Sequence, residues 1–456
     1  MRTILQGGHL IDGTGAEPID AAVVIIDGDR IIAVDTDSRH SPRSDDRVID
    51  IDGRTIMPGL IDCHTHLTYH TVEPNVWVLE QVESVELNTL RAADNAAHVL
   101  DCGFTTIGDG GCRGFIAPAI RDAINEGIVR GPDVNAAGPI LCGLGGLLDN
   151  DPAWVRRDST GSLAMIVTGA EEVRRAVRMQ IKGGVNWIKV AASGVAGSRF
   201  NSSEHEDLND EEIATAVAEA AKFGKRVHAH AHSTNGVRAC INAGVVSMHC
   251  AEFATEEQLI AMRDKAIPFS PTLAWLQARC IDTGNGTGGG HGDGNSGSNS
   301  EFLNEAWKAY AAAREVVRAA HRLGTPLAIG TDAFHRFPHV RDGVIEMQYL
   351  VALGFTPLEA IRSATQIAAR AIDPATDRGV VKVGWRADLL VVDGDPASDL
   401  DVLRDKSRIH HLFKAGIEQT LPAGRGRTGV DFDVAQWAHR DFSQTRDERL
   451  CIDVGA

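Results

Sequence analysis

The 456-residue chain has no run of about eighteen apolar residues, the length a helix needs to cross a bilayer. A helical membrane span is therefore not expected. It has no CxxC pair, and its eight cysteines stand singly at 63, 102, 112, 142, 240, 250, 280 and 451. A disulfide scaffold needs a far higher density, so reduced thiols in a cytoplasmic protein are expected. There is no basic tract, and the formal net charge is −17 with carboxylates scattered along the chain. Nucleic acid and anionic membranes are accordingly not expected as partners. No signal-peptide pattern opens the chain: "MRTILQGGHLIDGTG" reads as a first strand and turn. No glycine-rich fingerprint follows a strand, which argues against nucleotide binding.

What is present is strand-like at both ends. "AAVVIIDGDRIIAV" holds two apolar runs joined by Asp27-Gly28-Asp29, a hairpin signal, and "RVIDIDGRTIMPG" follows in the same style. Similar material returns in "ADLLVVDGDP" and "RIHHLFKAG". One small β-sandwich domain from residues 1–57 and 376–421 is expected, with residues 58–375 inserted between its halves and a tail at 422–456.

The middle alternates. Strands are read at 59–66, 104–109, 133–140, 185–192, 226–232, 244–249, 267–273 and 326–332. Helical patterns fall between them, with glycine stops at Gly103, Gly127, Gly183, Gly224, Gly244 and Gly324. Capping boxes stand at Thr255–Gln258 and Thr356–Glu359. An α/β fold follows, a (β/α)8 TIM-like barrel carrying the small sandwich. The segment 283–301, "TGNGTGGGHGDGNSGSNSE", can bury almost nothing and reads as a loop after the seventh strand.

The chemistry gathers at strand ends. "LIDCHTHL" places His64 and His66 on one strand face, since residues two apart share a face. "VHAHAHS" does the same with His228, His230 and His232. "VSMHCAE" offers His249, and "LAIGTDAF" offers Asp332. Barrel active sites form at these carboxyl ends, and imidazole with carboxylate suits zinc and its neighbours. Lys189 lies inside the apolar strand "GVNWIKVAASG". A buried ammonium is costly, and burial beside cations favours the neutral amine. A neutral amine adds CO₂, and the resulting carbamate can bridge two ions as a carboxylate would.

"IMPGLIDCHTHL", "GVNWIKVAASG", "RVHAHAHS", "AIGTDA", "FTPLEAIRSAT" and "VKVGWRADLLVVDGDP" resemble segments of the amidohydrolase superfamily in order, and the resemblance covers nearly the whole chain. The resemblance is most specific to the branch with a strand-four lysine. That branch includes Xaa-Pro and Xaa-Arg/Lys dipeptidases, ochratoxin-type amidases, and hydrolases of thiocarbamate and phenylurea herbicides. It implies two divalent ions per chain, zinc first. His64, His66 and Asp332 would hold one, His230 and His249 the other, and carboxylated Lys189 would bridge them. Asp332 would then act as the proton carrier, and His232 and Arg199 would contact substrate. His70, His335 and His339 also stand near strand ends.

The triple histidine leaves the strand-five ligand open between His228 and His230. The spacing from His230 to His249 is one residue shorter than the branch's habit, with Met248 where an acidic residue is usual. The expected substrate is the amide of an N-acyl amino acid or dipeptide, with a xenobiotic carbamate, thiocarbamate or phenylurea as the alternative. A mononuclear deaminase, a lactonase or phosphotriesterase and a metal-free scaffold are the rival classes. The branch's habit also implies a homo-oligomer, with the tail packed between subunits.

Overall fold

The computed structural model describes residues 2–36, 42–69, 80, 82–155, 161–196, 198, 200–280, 296–333 and 343–422, with 296–302 as backbone alone. The chain first lays down β1 (Thr3–Leu10), β2 (Ile19–Asp27), β3 (Arg30–Thr36), β4 (Arg47–Asp50) and β5 (Thr55–Pro58). It continues through β6 (Leu60–Thr65), β7 (Phe104–Asp109), β8 (Asp133–Ala136), β9 (Ile140–Gly143), β10 (Ala164–Val167), β11 (Trp187–Ala191), β12 (Arg226–Ala231), β13 (Ser247–Cys250) and β14 (Phe269–Ser270). It returns with β15 (Leu389–Val392), β16 (Ile409–Lys414) and β17 (Ile417–Glu418).

The two ends meet in one mixed sheet, ordered β17-β16-β15-β5-β1-β2-β3, with β4 also paired to β1. β1 serves two partners on one edge. Thr3–Gln6 pair with β4, and His9 and Leu10 pair with β5. Gly7 and Gly8 lie at the division. Gly7 takes φ +85°, and a Cβ on Gly8 would come within 2.1 Å of the Arg54 carbonyl oxygen. Only glycine allows this bend. The sheet closes over its own core, built on Leu5, Leu10, Val24, Ile31, Leu389 and Phe413.

β6 to β14 pair in parallel throughout. β8 and β9 are two halves of the third barrel strand: β8 pairs with β7, and β9 pairs with β11. The eighth position closes the barrel without a regular ladder. Leu327 bridges to Phe269, and Ala333 bridges to Thr65. Its Thr331 is occupied otherwise, donating N–H and Oγ1–H to the Asp62 carboxylate at 3.2 and 2.6 Å. The seventh strand is shorter than the expected 267–273. Thr272 turns to φ +48°, and a helix, Leu273–Arg279, begins at once. An apolar run of that length fits strand or helix equally, which is why the sequence misleads there.

Both expected capping boxes form. The glycine stops take positive φ at Gly103, Gly127, Gly224, Gly244 and Gly324, whereas at the fourth stop Gly184 takes it and Gly183 does not. The helix expected from 301 begins at Ser296, inside the glycine-rich segment. The rest of that segment, and the tail from 423, lie outside the described residues. Among the described residues no helix is long and apolar enough to cross a membrane, and none of the seven described cysteines is joined in a disulfide.

Candidate metal centre

His64 and His66 leave the end of β6 on one face and are both buried. His66 Nδ1–H donates to the Gly111 carbonyl oxygen at 2.7 Å. That bond orients the ring and turns Nε2 inward. There Nε2 meets His64 Nε2 at 3.3 Å and Asp332 Oδ1 at 3.0 Å. His64 Nε2 lies 3.5 Å from the same oxygen. Asp332 reaches in from a backbone at φ +57°, a conformation that costs energy for a non-glycine residue and is found where function requires it. The approach is close: a Cβ on Gly330 would lie 2.7 Å from the Cβ atoms of His64 and Ser270. Asp62 ties the two strands, accepting from His64 N and from Thr331.

The parallel register fixes the other donors. Lys189 stands beside His228, and His230 stands beside His249. Lys189 is 1 % exposed, and its Nζ meets His249 Nδ1 in a short hydrogen bond. The His249 ring lies over His64, with centroids 3.8 Å apart. His228 belongs to a deeper layer, with Nδ1 at 2.7 Å from Ser247 Oγ and its ring against Trp187. His230 Nε2 lies 3.4 Å from the Gly194 carbonyl oxygen. Its ring is 4.2 Å from that of His232.

Two donor groups result among the described residues. His64, His66 and Asp332 offer ligand atoms within 4.8 Å of one another, and so do His230, His232 and Cys250. Lys189 and His249 form a hydrogen-bonded pair against the first group, through the His64 ring. Burial, joined by the neighbouring cations, drives His64, His228, His230 and His249 well below the ordinary imidazole range. All four are therefore neutral, the form that binds metal. Burial also lowers Lys189 to about 8, against the pull of nearby thiols and carboxylates. Among the described residues His64 Nδ1 and His249 Nε2 are buried with no hydrogen-bond partner. Buried polar atoms rarely stay unpaired, and the Nε2 atoms of His64 and His66 converge on Asp332 Oδ1, a donor set that suits a divalent cation.

Three further residues were not singled out in the sequence. Glu252 accepts from His232 Nδ1–H. Burial alone would depress His232, but Glu252 and then Cys250 outweigh it and raise the group to about 10. Cys250 ends β13 at φ +85°. Arg279 closes the helix after the seventh strand. Its guanidinium lies over Trp275, 4.4 Å from the ring centroid, and donates to the Ala196 carbonyl oxygen. The Trp275 ring also stacks towards His232 at 6.5 Å. Burial brings Arg279 down to about 10, while Glu305, Asp332 and Glu252 act in the opposite sense. Arg199, His70, His335 and His339 lie outside the described residues.

The model of the Amidohydrolase family matches residues 55–418. The chain belongs to the amidohydrolase family. This amidohydrolase is 30% identical over 442 residues to the ochratoxinase of Aspergillus niger, covering 91% of this chain and 86% of that one. Its structure matches that of a Xaa-Pro dipeptidase with methionine bound in the active site, at TM-score 0.80 and 27% identity over 92% of this chain and 100% of the other. In fold it also matches molinate hydrolase, at TM-score 0.73 and 21% identity over 95% and 99% of the two chains. The amidohydrolase is thus a hydrolase of carbon–nitrogen bonds, in a family that works with divalent metal.

Proposed function

We propose that this amidohydrolase cleaves the amide of an N-acyl amino acid or a dipeptide at a centre of two divalent ions, zinc first. His64, His66 and Asp332 would hold one ion. His230 and His249 would hold the other, with Lys189, carboxylated by CO₂, between them. The depressed basicity of Lys189 supports the neutral amine that CO₂ addition requires. His228 is assigned to packing, because its ring and Nδ1 are engaged with Trp187 and Ser247.

Ions bound there make water nucleophilic near neutral pH and polarise the scissile carbonyl. The protein supplies the rest. Asp332 keeps Oδ1 towards the two histidines, and its other oxygen takes the proton of the attacking water and returns it to the leaving amine. His232, held by Glu252, donates to the substrate carbonyl from Nε2. The sequence expected Arg199 to hold a substrate carboxylate, and Arg279 now takes that role in the proposal.

The observation that carries the substrate class is the Arg279–Trp275–His232 layer. A retained, partly desolvated guanidinium suits a planar carboxylate, which acyl amino acids and dipeptides have and neutral carbamates or phenylureas lack. The test is turnover of matched pairs, N-acyl amino acids against their C-terminal amides, by wild type and Arg279→Met. Wild type should prefer the free acid, and the variant should lose that preference through a KM raised at least tenfold on the acids alone. Equal turnover of acid and amide by wild type would overturn the assignment.

A further inference from the structure

Cys250 follows His249 directly and takes φ +85°, where glycine would sit without strain. Its thiol is buried and lies 3.6 Å from Thr272 Oγ1. The same turn brings Sγ within 4.8 Å of ligand atoms of both His230 and His232. His232 is 1 % exposed, and its Nε2 has no hydrogen-bond partner among the described residues. Glu252 already occupies Nδ1, the outer support typical of metal-binding imidazoles. Around zinc, thiolate and imidazole donors stand about 3.5 Å apart, so a modest side-chain rotation closes the set.

We propose that His230, His232 and Cys250 form a thiophilic cation site, chemically distinct from the nitrogen-and-oxygen set of His64, His66 and Asp332. Sulfur favours soft ions such as zinc or cadmium over magnesium or manganese. The inference rests on the metal-centre reading above and adds a regulatory consequence to it. An ion on His232 and Cys250 displaces the Nε2 and thiol protons to solvent, removes His232 Nε2 from the substrate and draws on His230. Excess zinc or cadmium therefore inhibits, and excess manganese does not.

The experiment is a cadmium titration of the purified full-length protein, followed by ultraviolet absorption and by metal content per chain. Wild type should develop a thiolate-to-cadmium charge-transfer band. Cys250→Gly, which suits the local backbone and should fold without loss of Tm, should lose the band and bind one of its cadmium ions at least tenfold more weakly. Cys280→Ala, a buried-thiol control, should keep the band. A wild type that binds cadmium without the band, or a band that survives Cys250→Gly, overturns the thiolate site and leaves the proposed hydrolase centre standing. A protein that binds no cadmium, zinc or manganese overturns both.

Discussion

Lys189 has Trp187 two residues before it on a fully buried strand, and its single described hydrogen-bond partner is an imidazole that burial keeps neutral. If its role is to bridge as a carbamate, Lys189→Ala should retain one ion of two and lose more than a hundredfold in kcat. A short carboxylate such as acetate should restore part of both, read by elemental analysis and turnover. Two retained ions with full turnover would remove the lysine from the mechanism. The HxH pair and the strand-eight aspartate were legible because strand parity and barrel topology together dictate which side chains share a face. Glu252, Cys250 and Arg279 were not. Each is a single polar residue whose role depends on a turn, Cys250 and Ala251 at positive φ and Thr272 before the helix, and no periodicity announces such turns.

The helix Leu273–Arg279 has no side-chain cap of its own. Its first amides donate instead to Glu346, Ala274 N at 2.6 Å and Leu273 N at 3.0 Å. Burial pushes this carboxyl from 4.5 up to about 8, despite those bonds. The folded state thus holds the proton more tightly than the unfolded chain. Its contribution to stability falls as pH rises from about 4.5 to about 8 and is flat beyond. Glu346→Gln, which cannot ionise, should lack that loss. Urea midpoints at pH 5 and pH 8.5 should drop more for wild type than for the variant, and equal drops would contradict the shift. The capped helices were readable from Thr-x-x-Gln and Thr-x-x-Glu. This one was not, because its cap comes from a helix 70 residues further along the chain, Gly343–Ala352.

At the scale of the whole molecule, the alternation of strand and helix announced the barrel, and the echo between the chain's ends announced the mixed sheet. The join between them was hidden. Asp133, which opens the third barrel strand, meets Arg378, Arg386 and Lys414 from the sheet side at 2.5, 3.0 and 3.6 Å. Burial works against the ionised form, but Arg378, then Arg386 and Lys414, hold the carboxyl below its usual range. That stabilisation is present above the ordinary carboxylate pKa and is lost as pH falls through the folded value. Asp133→Ala should cost about 2–4 kcal/mol at neutral pH, because it leaves Arg378 and Arg386 to share Asp388 alone and takes the carboxylate from Lys414. The gap from wild type should narrow in acid, as chemical denaturation at pH 7 and pH 3 would show.

The division of β1 between β4 and β5 carries a consequence for the order of assembly. β5, laid down early, finds its other neighbour β15 only at Leu389–Val392. During synthesis the barrel's strands emerge in sequence and can pair with the strand just made, while β5 keeps an open edge for as long as the barrel takes to translate. An unpaired edge of apolar residues is a template for foreign strands. Ribosome-bound chains stalled before residue 389 should therefore be the aggregation-prone species, and chaperones that mask strand edges should act on them rather than on the released protein.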